Sequence, residues 1–287
     1  MFKVSNWLHL RIPFSFYLLP VFLFSLAFVQ EMEAARFFLV FIVLHFFVYP
    51  SSNGYNSYYD RDEESIGGLK HPPKVTNGLY YLSLLFLFIG LIMGLWASWV
   101  FSSMVLVYSL VSMAYSYPGI RIKKYPYLSW LIAGFFQGCF TFVMAYVGIS
   151  GQTWASFLDI DIIIPGFLTT LLLWSAYPLS QVYQHREDSR RGDQTLSLSL
   201  GVAGTFTFSS IWFLISGIAF SWYFLDFRDQ PWAWWGFLGA MAPVMVYFII
   251  WFYFILWDSG KYAAYGWTMW MNRISALALN VFFYGMC

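Results

Sequence analysis

Long apolar runs alternate with short polar breaks along the chain, and most breaks carry Gly, Pro or charge. A run of about 20 apolar residues suits an α-helix crossing a hydrocarbon layer of roughly 30 Å. The pattern predicts spans at about 12–30, 36–57, 128–149, 162–183, 203–224, 232–256 and 266–285. The run 79–117 is too long for one crossing and is divided near Ala97–Ser103 into two. The expectation is an all-α integral membrane protein, a bundle of about nine transmembrane helices forming one polytopic domain over residues 1–287. Residues 1–11 read as a short polar lead with Lys3, His9 and Arg11, and the first span, lacking a small-residue cleavage site, reads as a retained helix.

The polar breaks are where chemistry is concentrated. After the second span comes Asn56-Ser-Tyr-Tyr-Asp60-Arg-Asp62-Glu63-Glu64, four carboxylates in five positions. Read as a helix end, Asn56, Asp60 and Glu64 recur at i, i+4 and i+8 and share one face, while Asp62 and Glu63 point off it toward solvent. The Gly and Pro residues of Ser65–Lys74 forbid a continued helix. Tyr117-Pro118-Gly119 ends the fourth span and opens a basic loop with Arg121, Lys123 and Lys124. The sixth span runs into Gln181–Asp193, where Gly192 is expected to end the helix in a left-handed conformation.

Composition narrows the class. The chain is 60% hydrophobic and 10% charged, and its net charge of +1 with no basic tail speaks against a nucleic-acid partner. The two cysteines form no disulfide framework, and Cys139, in an apolar run, reads as inert packing. With nine alternating spans, twelve of the fifteen Lys and Arg residues fall on the side of the N-terminus. Arg36 and Arg228 fall opposite, and Arg273 lies inside the ninth span. The positive-inside rule places the acidic stretches and the basic loop in the cytoplasm, able to meet at one mouth of the bundle.

Charged groups at membrane depth cost about 2.5–3.5 kcal/mol or more unless compensated. Acidic helix ends are compensated by a hard cation such as Mg²⁺, which takes one or two carboxylates and substrate phosphates. Metal and fixed cations together stabilise the charge that develops on a diphosphate leaving group. If that group leaves an allylic carbon, aromatic faces stabilise the remaining cation, one use for a chain that is 24% aromatic; packing and lipid contact are the other.

The motifs resemble those of the UbiA superfamily of intramembrane prenyltransferases. Asn56-x-x-x-Asp60-x-x-x-Glu64 is similar to its first aspartate-rich motif, and Asp188-Ser-Arg-Arg-Gly192-Asp-Gln-Thr195-Leu196 to its second. Tyr115-Ser-Tyr-Pro-Gly-Ile-Arg121-Ile-Lys123 resembles the family's segment after helix four. The resemblance implies Mg²⁺-dependent transfer of a prenyl group from a prenyl diphosphate to an aromatic or lipid-like acceptor within the membrane. It implies Asn56, Asp60, Glu64 and Asp188 as metal ligands, with Asp60 and Asp188 indispensable. Lys70, Arg121, Lys123, Gln184 and Arg191 would contact substrate. Two departures stand out: Gln184 occupies a position where the family usually has an acid, and Glu64 replaces Asp.

Other readings stay open on the residues alone. An ion-coupled transporter would place such acids near the bilayer midplane, and a catalytically degenerate relative would only bind a prenyl lipid. His45, about three turns below Asn56 on the same face, either touches the acceptor or is a hydrogen-bonded core residue. Asn272 and Arg273, polar groups inside the ninth span, are either functional or snorkelling.

Overall fold

The structure is a computed structural model that describes residues 3–287. Its regular structure is helical, apart from one isolated bridge between Ile66 and Leu69. Among the described residues, eight stretches are long and apolar enough to cross a membrane. The first, Val4–Leu26, is composite: α1 (Val4–His9), a 3₁₀ stretch (Ile12–Leu18) and α2 (Leu19–Leu26). There follow α3 (Ala34–Asp60), α4 (Asn77–Ala97), α5 (Trp99–Ser116), α6 (Pro126–Ser150), α7 (Ile160–Arg191), α8 (Leu196–Phe227) and α9 (Pro231–Trp257). A ninth helix, α10 (Tyr265–Tyr284), has the length of a span but is diluted by Asn272, Arg273 and Asn280. The protein is an all-α, integral, multi-pass membrane protein.

Local chemistry explains the boundaries. The long apolar run divides at Ser98, which is fully extended, and its hydroxyl accepts the Phe101 N–H at 3.0 Å, capping α5. Pro126 and Pro231 each open a helix where their missing N–H costs nothing. Trp96, Trp99, Trp232, Trp235 and Trp257 stand exposed at helix ends, where amphipathic rings suit the membrane interface. The polar lead is itself a helix, and the break after it is made by Arg11, which holds a positive φ of 47°.

The chain divides into two compact units, described separately. Among the described residues the first comprises 3–16, Phe28–Lys124 and Val143–Ile163. Its core includes Leu10, Leu79, Leu82 and Phe86, with Ile12, Phe47, Tyr58 and Val75 packed against them. Inside α3, residues Val43–Val48 form a π-helical turn that contains His45. The second unit comprises Tyr17–Ala27, Tyr125–Phe142 and Ile164–Cys287, and its core is a stack of rings. Phe24 stacks on Phe283 at 4.3 Å and meets Phe142 edge-on at 5.4 Å, while Phe220 stacks on Phe237 at 4.2 Å. Such pairs contribute about 0.5–1.5 kcal/mol each beyond burial, so packing accounts for much of the aromatic excess.

Candidate active site

In the first unit a polar seam joins α3 to α5. Tyr49 meets Tyr108 edge-on at 6.0 Å, and Ser52 and Ser112 share a hydrogen bond. Asn56 Nδ2 donates to Ser116 Oγ at 2.8 Å. The paired positions step along both helices by three or four residues, the spacing of one helix face. Within a membrane such side-chain bonds hold helices together. The seam ends at Asp60.

Asp60 is 7% exposed and is the last residue of α3. Its Oδ2 accepts from Asn56 Nδ2 at 2.7 Å. Its Oδ1 lies 2.7 Å from Lys123 Nζ and 3.5 Å from Arg121. Lys123 is buried, which is rare for lysine unless paired. A tight turn delivers both cations: the amides of Ile120 and Arg121 donate to the Tyr117 carbonyl, and Arg121 takes a positive φ of 47°. A non-glycine residue in that region is strained, a condition concentrated at functional positions. Tyrosines pack around the end of α3, with Tyr55 and Tyr59 at 4.9 Å and Tyr59 and Tyr117 at 5.8 Å.

Two sequence expectations change here. Glu64 does not continue the helical face of Asn56 and Asp60, because α3 stops at Asp60. Arg61 turns left-handed (φ 49°, ψ 44°) and its N–H returns to the Ser57 carbonyl at 3.0 Å, so Glu64 is half-buried on the following loop. Asp62 is not solvated: it is 9% exposed, and its charge acts on His9 of α1. Glu63 is exposed as expected. Lys70 is exposed, and its carbonyl accepts from Ser65 Oγ at 2.8 Å, which fixes the loop backbone. His45 is 3% exposed, between the rings of Phe41 at 4.7 Å and Tyr49 at 5.1 Å. It sits in a π-helical turn, a feature frequent at functional sites.

The second unit carries the other acidic stretch at the end of α7. Pro178 lacks an N–H, and α7 tightens into a 3₁₀ stretch over Tyr177–Gln184 before a last α-helical segment, His185–Arg191. Gln184 is half-buried at that junction. Asp188 is 4% exposed. Its Oδ1 lies 3.1 Å from Arg191, and its Oδ2 accepts from Thr195 Oγ1 at 3.3 Å. Arg191 also lies 3.9 Å from Glu187 and 3.5 Å from Asp193. Gly192 ends the helix with φ 72°, as the sequence predicts, and lets the Asp193 N–H reach the Asp188 carbonyl at 3.0 Å.

Sequence reasoning overlooked Glu187 and Asp193, which are 7% and 1% exposed. The signal was present: Glu187 and Asp188 stand four and three residues before Arg191, the spacing of helical ion pairs. Among the described residues no three His, Cys, Asp or Glu side chains gather as a ready-made metal cage. What each unit offers is a buried carboxylate beside a neutral side-chain amide or hydroxyl and a cation. That set fits Mg²⁺, which uses one or two carboxylates and completes its shell with water and phosphate oxygens.

The sequence profile of the UbiA prenyltransferase family matches residues 17–274. No curated protein matches the sequence. Among solved structures, a UbiA homolog from Archaeoglobus fulgidus bound to GPP and Mg²⁺ is similar at 18% identity and a TM-score of 0.67, covering 98% of this chain and 99% of that one. The same homolog bound to DMAPP and Mg²⁺ gives 17% identity and a TM-score of 0.68, with 98% of each chain covered. A structure solved in a study of the biosynthesis of digeranylgeranylglyceryl phosphate synthase in membranes gives 20% identity and a TM-score of 0.61, covering 99% of this chain and all of that one. At these identities the likeness establishes the fold, and the profile, which spans most of the chain, establishes the family. The chain belongs to the UbiA prenyltransferase family.

Proposed function

We propose that this protein transfers a prenyl group from a prenyl diphosphate to a lipophilic or aromatic acceptor in the membrane, with Mg²⁺ as cofactor and the whole chain acting as one catalytic domain. The observation that carries the reading is Asp60, a buried carboxylate at the mouth end of a membrane helix, shared by Asn56, Lys123 and Arg121. Family membership and the Mg²⁺ complexes of the Archaeoglobus homolog with GPP and DMAPP support it.

Asn56, Asp60 and Glu64 would hold one Mg²⁺, and Asp188 would hold another with Gln184 as a neutral neighbour. Bound Mg²⁺ would offset the negative charge of the diphosphate and make it a better leaving group. Arg121 and Lys123, which balance Asp60, would turn toward phosphate oxygens, and Lys70 and Arg191 would add fixed positive charge. As the allylic C–O bond breaks, both electrons leave with the diphosphate. Aromatic rings then stabilise the prenyl cation by about 0.5–2 kcal/mol each until the acceptor's electron pair forms the new bond and its proton departs. The acidic and basic loops are assigned to the cytoplasm on their Lys and Arg bias.

The test is incubation of membranes holding the protein with labelled prenyl diphosphates of several lengths and a panel of acceptors, with and without Mg²⁺, read by mass spectrometry. Mg²⁺-dependent prenylated product is the expected outcome. Binding of prenyl diphosphate with no product under any condition would favour the degenerate-binder reading. Mg²⁺-independent cation flux in its place would favour a carrier.

A further inference from the structure

The loop between α3 and α4 is braced by the chain's own N-terminal segment. In α1, Val4, Trp7 and Leu8 are exposed, whereas Asn6 and His9 are fully buried, as is Leu10 just beyond. The buried side reaches the loop at separate points. His9 Nε2 lies 2.7 Å from the Pro73 carbonyl, donating to it in the tautomer that carries hydrogen there. Asn6 Oδ1 accepts from Thr76 Oγ1 at 2.8 Å. Arg11 donates through NH1 to the Gly67 carbonyl at 3.0 Å and through NH2 to the Asn53 carbonyl at 3.3 Å. Asn53 Nδ2 donates back to the Leu10 carbonyl at 3.4 Å. The Arg11 guanidinium stands 5.4 Å from the centre of the Phe14 ring. That ring lies so close to Gly67 that a Cβ there would fall 2.6 Å from it.

We propose that Arg11 is a positioning residue that locks the loop bearing Glu64 and Lys70 to the helix bearing Asn56 and Asp60. Asn53 lies on α3 one turn before Asn56 and two before Asp60, and Gly67 lies midway between Glu64 and Lys70. A single planar fork bonded to both carbonyls sets the distance between these two groups of side chains. Lysine cannot replace it, because a lone ammonium lacks the rigid spread of donors. Arg11 also holds a positive φ of 47°, where glycine or asparagine would be less strained. The side chain is therefore kept at a conformational cost. This inference rests on the assignment of Asn56, Asp60, Glu64 and Lys70 to the metal and diphosphate site.

The experiment compares wild type, Arg11→Ala and Arg11→Lys as full-length protein by hydrogen–deuterium exchange and by steady-state kinetics with prenyl diphosphate varied. For Arg11→Ala, exchange across 62–74 should accelerate while the interiors of α5 and α9 keep wild-type protection. KM for prenyl diphosphate should rise about tenfold as the loop loses its register on α3, with kcat changed less than about threefold. Arg11→Lys should fall between the two, and it keeps the comparison open if the alanine variant does not fold. Unchanged exchange in 62–74 overturns the proposal, and so does a loosened loop with KM and kcat both at wild-type values. Absence of turnover in wild type would sink the enzymatic reading alone, and loop exchange would still decide whether Arg11 holds the loop.

Discussion

Asp60 and Lys123 form an ion pair with side chains 4% and 7% exposed, and Arg121, 3.5 Å from Asp60, is a second cation on the same carboxylate. Removing one partner of a buried pair costs about 3–5 kcal/mol, because the charge left behind has lost its compensation. With Arg121 still facing Asp60, Lys123→Ala should lower stability by the lower part of that range, about 3 kcal/mol, and adding Asp60→Asn should recover part of it, a coupling visible in a double-mutant cycle of denaturation. Activity separates the acids differently. Asp60→Asn should reduce kcat by roughly a thousandfold or more, the scale of losing a principal electrostatic group. Asp62→Asn, buried near His9, should cost about 1–3 kcal/mol of stability and leave kcat within a factor of about three. Equal loss of kcat at both positions would argue for a general electrostatic role. In the second motif Gln184 supplies an amide oxygen without charge, so a metal held there should depend on substrate for its remaining ligands. Gln184→Asp should keep activity and lower the Mg²⁺ concentration for half-maximal rate, while Asp188→Asn should abolish turnover. Loss of activity in Gln184→Asp would show that the amide has a role of its own.

At the scale of elements, helix ends matter more than helix interiors. Asp60 and Asp188 each sit where a membrane helix finishes, and each helix is stopped by a left-handed residue, Arg61 in one case and Gly192 in the other. Nothing lies within 4 Å of a Cβ added at Gly192, so Gly192→Ala should carry only the backbone penalty of about 1–2 kcal/mol, measurable as a lowered melting temperature. Gly192→Asn should cost less, since asparagine enters that region more readily. A cost near zero for alanine would mean the helix end relaxes freely. The contrast between these two stops shows what the sequence could tell. Gly192 was legible because glycine prefers the conformation, whereas nothing about arginine marks Arg61 as a left-handed residue. The predicted face therefore ran one turn too far and took Glu64 with it. The break at Ser98 was legible because span length is a local property of hydropathy. The burial of Asp62 was not, since it is set by tertiary packing, and His9, on which its charge acts, is distant in sequence. The π-helical turn at Val43–Val48 likewise leaves no mark in an apolar pattern that suits either helix type.

For the molecule as a whole the number of membrane crossings decides which loops share a side. Among the described residues eight stretches pass on length and apolarity, and α10, with 20 residues, has the length of a span but a more polar composition. Its polar groups include Arg273, whose guanidinium stands 5.2 Å from the centre of the Trp270 ring, an arrangement suited to a charge reaching for the interface. The number of crossings fixes the side on which the residues after α10 lie, and Cys287 is a reporter there. Cys287 is exposed, whereas Cys139 is fully buried, so a thiol reagent that cannot cross membranes should read Cys287 alone in the natural protein. If α10 crosses, Cys287 lies on the same side as the end of α6 and opposite the α3–α4 loop. Cysteines introduced at Ser150 and at Ser65, each in a Cys287→Ser background, calibrate the two sides. The natural Cys287 should then label with Ser150 and against Ser65. Cys287 is exposed as a residue, but partial desolvation of its thiol beside the Phe283 carbonyl raises its pKa above the ordinary value, and the thiolate is the reactive form, so labelling should be slow at neutral pH and faster as pH rises. Ser65 and Ser150 labelling from one side would overturn the arrangement of the first five spans. Cys287 labelling with Ser65 would leave those spans intact and place α10 as a helix that does not cross.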